Sequence, residues 1–319
     1  MQHRDATFAR PEVLALPKVL VLLAARNGCD WIVEQITTIL GQENANIELV
    51  ISDDGSTDAT LVEIGKFLQD RRVRMLSPPF PTGSASKNFF WLMRNAPLQD
   101  HDFIALADQD DIWEKEKIAR GCRLLADSGA AGYSSAVTAF WSDGSEVALR
   151  QVSTATRSDF LFEGAGQGCT FVLSAAFFRQ LTRFFAEQPA SLSSIHYHDW
   201  TIYALARSWK KTWYFDERSM MRYRQHRSND TGARLSLQGV KRRLGLLKDG
   251  WYRRQLSAIA SICALAAPRD SLITEWNRTL GRPPSAARKL QMARFCLAGG
   301  RRRLSDNVIL LVAALLGWI

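Results

Sequence analysis

The stretch Asp102–Trp113, Asp-Phe-Ile-Ala-Leu-Ala-Asp-Gln-Asp-Asp-Ile-Trp, limits the possible folds more than any other part of the chain. Its apolar run, Phe103 to Ala107, has the length of a buried strand and stops at three carboxylates, Asp108, Asp110 and Asp111. Strands covered on both faces read as continuous apolar runs of this kind. Two earlier runs share the form. Lys18 to Ala24 ends in Ala25-Arg26-Asn27-Gly28, and Ile47 to Ile51 ends in the polar loop Ser52 to Thr60. Helical spacing separates them, first in Ile32, Ile36, Ile39 and Leu40, then in Leu61, Ile64, Phe67 and Leu68, then in Phe89, Leu92 and Met93. Alternating strands and helices predict an α/β fold with a mainly parallel central sheet. All three polar loops then leave the carboxyl edge of that sheet, where open α/β sheets bind ligands.

Three acids within four residues repel one another. A divalent cation relieves that repulsion, and Mg²⁺ characteristically takes one or two carboxylates together with waters and phosphates. A solvated acidic turn opening the next helix is the competing reading. The first strand is not followed by G-x-G-x-x-G, and G-x-x-x-x-G-K-[ST] occurs nowhere, so dinucleotide and P-loop sites are poor readings. Five scattered cysteines without a C-x-x-C pair argue against a disulfide framework or zinc knuckle and fit a reducing cytoplasm. The N-terminus lacks an apolar core of signal-peptide length, and no stretch reaches the roughly 18–20 apolar residues of a membrane span.

Further along, Tyr133 to Phe140 and Glu146 to Leu149 flank a Ser-Asp-Gly-Ser turn and predict a hairpin. Gly164, Gly166 and Gly168 loosen a loop that leads into a strand over Cys169 to Leu173 and a helix over Ala175 to Ala186. His196, His198 and Asp199 form an H-x-H-D cluster, but no second ligand set of zinc spacing accompanies it.

Taken together, Ala-Arg-Asn-Gly after the first strand, Ser-Asp-Asp-Gly-Ser-Thr-Asp-Ala-Thr after the second, and Ala-Asp-Gln-Asp-Asp-Ile-Trp after the later one resemble family 2 glycosyltransferases of the GT-A fold. The bacterial rhamnosyltransferase-like branch is the nearest pattern, over about residues 18–230. The resemblance implies a nucleotide-sugar donor lined by Arg26, Asn27, Asp53, Asp54, Lys87, Asn88 and Asp108. It implies Mg²⁺ or Mn²⁺ on Asp108 and Asp110, with His226 as a further metal or phosphate contact. Arg224, Gln225, His226 and Asn229 match the branch's Y-R-Q-H-x-x-N element, a segment that closes over the diphosphate. Asp199 matches the family's catalytic base, with Gly168, Cys169, His198 and Trp200 on the acceptor side. A carboxylate backed by Trp200 is partly desolvated, which favours it as a base. His198 either orients Asp199, touches the acceptor, or is structural.

Charge divides the chain. Residues 233–319 hold 16 Lys and Arg against 4 Asp and Glu, a net of +12, whereas residues 1–232 are slightly acidic. This organisation predicts an extension over 1–17, a GT-A domain over 18–232 and a basic helical region over 233–319. Arg301-Arg302-Arg303 precede the apolar stretch Val308 to Ile319, which as a helix is roughly 18 Å long and too short to span a bilayer. Peripheral attachment to an anionic membrane surface, on the cytoplasmic side, is the expectation. Packing of the tail on the catalytic domain and dimerisation are the alternatives. No nucleic-acid partner is expected. By resemblance the activity is transfer of a sugar, L-rhamnose from dTDP-L-rhamnose being the first choice and a UDP-hexose or UDP-N-acetylhexosamine the second. The acceptor is a glycan or lipid-linked glycan of the bacterial surface. A metal-dependent phosphohydrolase is the competing class.

Overall fold

The computed structural model describes residues 15–226, 245 and 247–319. Strands β1 (Lys18–Ala25), β2 (Asn46–Asp53), β3 (Val73–Leu76) and β4 (Phe103–Ala107) pair in parallel in the order β3-β2-β1-β4. β1 shows why its sequence is apolar throughout. Val19, Val21 and Leu23 point into one core and Leu20 and Leu22 into the other, all fully buried. On the first face pack α1 (Ile32–Leu40) and α4 (Lys117–Ser128). On the second pack α3 (Ala85–Asn95), α5 (Ala175–Glu187) and α6 (His198–Ser208).

Beyond β4 the sheet changes direction. β5 (Ile112–Trp113), β6 (Gly132–Phe140), β8 (Val172–Ser174) and β9 (Trp213–Arg224) extend it in the order β4-β8-β6-β9-β5, and β7 (Glu146–Leu149) forms the expected hairpin with β6. Parallel pairing therefore belongs to the first half and to β6–β9, where register shifts after Ser135 and Ala136 bend the ladder. β5 follows the acidic loop directly and pairs with the end of β9, Ile112 opposite Arg222. That pairing returns Arg224 and His226 to the carboxylates from more than a hundred residues away.

Some element bounds differ from the sequence reading. The helix after Asp58 is short, α2 (Thr60–Gly65). A 3-10 turn over Gly168–Thr170 stands where a strand was expected, because the Thr170 amide and hydroxyl both donate to the Gln167 carbonyl.

The last four helices, α7 (Trp251–Ala266), α8 (Ser271–Gly281), α9 (Ala286–Leu297) and α10 (Leu304–Leu316), do not stand apart from the sheet-bearing part of the chain. They share the core of α3, α5 and α6, with Trp276 fully buried between Phe162 and Phe295. Side chains cap two of them. Asp270 accepts from the Ile273 amide, and Ser285 from that of Arg288. No helix among the described residues is long and apolar enough to cross a membrane.

Candidate active site

The first two strand-end loops are tied to each other before any ligand is considered. Asn27 adopts a left-handed backbone (φ 48°), and its side-chain oxygen accepts from the Thr57 amide at 2.8 Å while its own amide donates to Ser56 Oγ at 2.8 Å. Asp53 receives the Gly55 and Ser56 amides and turns the loop. Asp54, 1% exposed, receives the amides of Thr82 and Gly83 and lies 3.7 Å from the Arg26 guanidinium. Both aspartates thus shape the rim with oxygens that the sequence reading assigned to the nucleotide. Lys87 is exposed in the first turn of α3. Asn88 corrects an expectation. It is buried, its oxygen accepts from Ser52 Oγ at 2.6 Å and its nitrogen donates to the Ser52 carbonyl at 3.1 Å, so it clamps β2 to α3 rather than facing a ligand.

Gln109 ties two of the loops together, a role that the sequence reading passed over. Its amide oxygen accepts from the Arg26 N–H at 2.7 Å and its nitrogen donates to the Arg26 carbonyl at 2.9 Å. Gly28 leaves room for it, since a Cβ there would come within 2.4 Å of Gln109 Oε1. The middle residue of the acidic motif thereby fixes the distance between the first and third loops.

The three acids divide. Asp108 and Asp111 place ligand atoms within 4.8 Å of each other and of the Cys169 sulfur. Asp110 instead faces His226, whose Nε2 lies 2.6 Å from Asp110 Oδ2 and whose ring stacks on Trp31 at 4.1 Å. Arg224 holds the loop's backbone, Nε donating to the Asp110 carbonyl at 2.9 Å, and also pairs with Glu34. Gln225, buried, joins Phe140 through its backbone amide. Asn229 lies outside the described residues. Cys169 is a second correction. It is wholly buried beside Asp111 and not part of an acceptor surface.

Asp111 has no exposed surface, and among the described residues its two buried oxygens have only the Cys169 thiol and the Arg224 backbone nearby, neither in full hydrogen-bond geometry. Burial, then the charges of Asp110 and Asp108, push its carboxyl well above the usual range. Lys117 lies nearby, fully buried, its Nζ 3.5 Å over the Trp113 ring, and burial lowers it to about 7. A fully buried carboxylate beside a second carboxylate, with an imidazole on the third acid, is a donor set that a hard divalent cation would fit.

Asp199, the expected base, stands in the first turn of α6, partly buried. Desolvation raises its carboxyl to about 6, against backbone hydrogen bonds from Trp200 and Gly168 that favour the charged form. Gly168 presses on this turn: a Cβ would meet His198 Nε2 at 2.7 Å and Asp199 Cβ at 3.2 Å. His198 stacks on Phe89 at 4.0 Å, and burial depresses it to about 3, so it is a neutral packing group. Trp200 is the third correction. It is buried, and its indole N–H donates to the Phe160 carbonyl at 2.8 Å, so it supports Asp199 from behind instead of touching an acceptor.

Polar loops gathered at one edge of a parallel sheet, an acidic cluster at a strand end and a separate carboxylate of raised pKa fit one class, the enzymes that transfer a group from an activated donor. The chain belongs to glycosyl transferase family 2, whose sequence model matches residues 20–180. A dTDP-rhamnosyl transferase of Shigella flexneri, RfbG, is 33% identical over 296 residues, 92% of this chain and 99% of that one. An Escherichia coli UDP-Glc:alpha-D-GlcNAc-diphosphoundecaprenol beta-1,3-glucosyltransferase, WfgD, is 32% identical over 102 residues, 31% of this chain and 38% of that one. The fold is that of S. aureus TarS 1-349 solved with UDP-GlcNAc (TM-score 0.58, 14% identity, 94% of this chain and 80% of that one). It is also that of the mannosyltransferase PcManGT of Pyrobaculum calidifontis solved with GDP-Man and Mn²⁺ (TM-score 0.52, 14% identity, 95% and 87%).

Proposed function

We propose that this glycosyltransferase is metal-dependent and inverting, and that it moves L-rhamnose from dTDP-L-rhamnose to a glycan of the bacterial surface. The observation that carries the donor is the S. flexneri dTDP-rhamnosyl transferase, matched along nearly its whole length. A UDP-hexose is the runner-up, favoured by the shorter match to the E. coli glucosyltransferase. Acceptor-stimulated nucleotide release, measured over a panel of nucleotide-sugars with Mg²⁺ or Mn²⁺, tests the reading. dTDP-L-rhamnose is expected to turn over at least about tenfold faster than UDP-sugars. Faster turnover of a UDP-sugar would reassign the donor. Release that no glycan acceptor stimulates would point to a phosphohydrolase.

In the proposed mechanism Asp108, Asp110, Asp111 and His226 would hold the cation. A bound Mg²⁺ or Mn²⁺ supplies Lewis-acid neutralisation of the charge that develops on the leaving diphosphate. Arg26 and Lys87 bring positive charge to the same edge, and Asp53 and Asp54 keep the rim in shape around base and ribose. Asp199 accepts the proton of the acceptor hydroxyl. The freed oxygen attacks the anomeric carbon opposite the diphosphate, whose bond breaks with its electron pair leaving on phosphate oxygen. A base near 6 is charged at neutral pH and stronger than an ordinary carboxylate.

The acceptor side also suits work at a membrane surface. Leu304, Val308, Val312 and Leu315 recur every three or four residues along α10 and are 80%, 52%, 49% and 53% exposed. Arg294 and Arg303 are exposed close in sequence to this stripe. An apolar stripe with cationic neighbours suits the headgroup region of an anionic bilayer. The variant Val308→Glu/Val312→Glu is expected to lose several-fold in co-sedimentation with vesicles containing about one-third anionic lipid. Equal binding by parent and variant would remove α10 from the attachment.

A further inference from the structure

The basic run Arg301-Arg302-Arg303 reads in sequence as a membrane patch, yet two of its three side chains are turned into the protein. Arg302 is 8% exposed at its side chain, and its guanidinium donates from Nη1 to Asp159 Oδ2 at 2.9 Å and from Nη2 to the Gly164 carbonyl at 2.6 Å. Its backbone amide donates to Glu163 Oε1 at 2.6 Å, while Arg301 Nε donates to Glu163 Oε2 at 3.2 Å. Asp159 has no exposed surface and also receives Arg207 at 2.8 Å and the Tyr203 hydroxyl at 2.7 Å, both from α6. From α7, Tyr252 donates to the Phe162 carbonyl at 2.6 Å.

These contacts converge on one loop. Residues 163–168 lie against the turn that carries Asp199, touching it at both ends. A Cβ on Gly164 would stand 3.1 Å from Trp200 Cα, and one on Gly168 would stand 3.2 Å from Asp199 Cβ. At Gly164 the loop packs backbone to backbone and has little slack, so its position there depends on what holds its outer side. The C-terminal segment holds Glu163 and the Gly164 carbonyl, while the Ala165 carbonyl accepts from Ser134 Oγ and Gln151 Nε2.

We propose that Arg302 is a positioning residue for acceptor transfer. By gripping Asp159, Glu163 and the Gly164 carbonyl, it seats the 163–168 loop on the first turn of α6, and so fixes the acceptor oxygen relative to Asp199. The C-terminal region is therefore part of the acceptor half of the active site and not an appendage to it. This rests on the glycosyltransferase reading for its kinetic consequence, but not for its structural one.

Two variants test it. Arg302→Lys keeps the charge and loses the planar fork that reaches carboxylate and carbonyl together. Gly164→Ala keeps every charge and pushes a methyl group at the Trp200 backbone, so it carries the test should the lysine variant fail to fold. In either, kcat/KM for the acceptor is expected to fall about 100-fold, as for a reacting group displaced by about 1 Å. Affinity for dTDP with Mn²⁺, read by titration calorimetry, is expected to stay within about twofold, because the donor rim is not touched. Amide hydrogen exchange over 163–168 is expected to accelerate while that over 52–58 keeps its parental protection. Unchanged exchange over 163–168, or nucleotide affinity falling as far as transfer, would overturn the proposal. If the parent protein transfers no sugar at all, the proposed activity fails in the parent, and the exchange measurement still decides whether Arg302 seats the loop.

Discussion

Asp199→Asn is expected to lower acceptor-dependent transfer by about 10³-fold, within the range that a lost general base costs, and to leave nucleotide binding unchanged. The substitution keeps the size and the hydrogen bond from the Trp200 amide at 2.6 Å, and it removes only the basic oxygen. The same residue sets the pH profile. Burial raises its carboxyl to about 6, so the group is protonated, and unable to take the acceptor's proton, below that value. Acceptor kcat/KM should therefore be flat from neutral pH down to about 6 and fall about tenfold per unit beneath it. An acidic limb near 4, where an ordinary aspartate titrates, would show that Asp199 is not the group observed.

Asp110→Asn is expected to reduce turnover by about 10²- to 10³-fold through the opposite half of the site. Asp110 is 9% exposed and shares a 2.6 Å contact with His226, which is itself stacked on Trp31. Asparagine can still accept a hydrogen bond from the imidazole, so the Arg224–His226 segment keeps its anchor, including the Arg224 bond to the backbone carbonyl of residue 110. The negative charge is lost, and with it a share of the cation affinity. Titrating Mn²⁺ against dTDP binding measures this: the parent should gain affinity with metal and the variant should not. An equal gain in both would take Asp110 out of the cation site.

The fold was legible because β1, β2 and β4 are apolar on both faces and each stops abruptly at a polar loop, a pattern with few solutions other than a buried parallel sheet. The acidic loop and the position of Asp199 at a helix start were legible for the same reason, since each stands at the end of a recognisable element. Partners remote in sequence were not. Asp54 reads as a free carboxylate until the chain returns at Thr82 and Gly83, and Asn88 reads as polar surface until Ser52 takes both ends of its amide. Cys169 lies next to glycines that suggest an open loop, yet a 3-10 turn buries it under the acidic cluster. Gln109 carried a signal that could have been used: a side chain with both a donor and an acceptor, placed between two aspartates at a strand end, is suited to bridge to another loop's backbone. The partners of the tail's arginines were not legible either, because net charge counts Arg301 and Arg302 without them. Asp159 and Glu163 lie about 140 residues earlier, and only the packed helices bring them together.

In the proposed function the leaving group is held at one carboxylate cluster while the proton is removed at another. Asp110→Asn and Asp199→Asn, compared side by side for Mn²⁺-dependent nucleotide affinity and for acceptor-dependent transfer, test it most directly. A crossed result is expected, in which Asp199→Asn binds nucleotide as the parent does but does not transfer, whereas Asp110→Asn loses the metal-dependent part of binding along with its turnover. Loss of metal-dependent nucleotide binding in Asp199→Asn, or parental binding and transfer in Asp110→Asn, would contradict it.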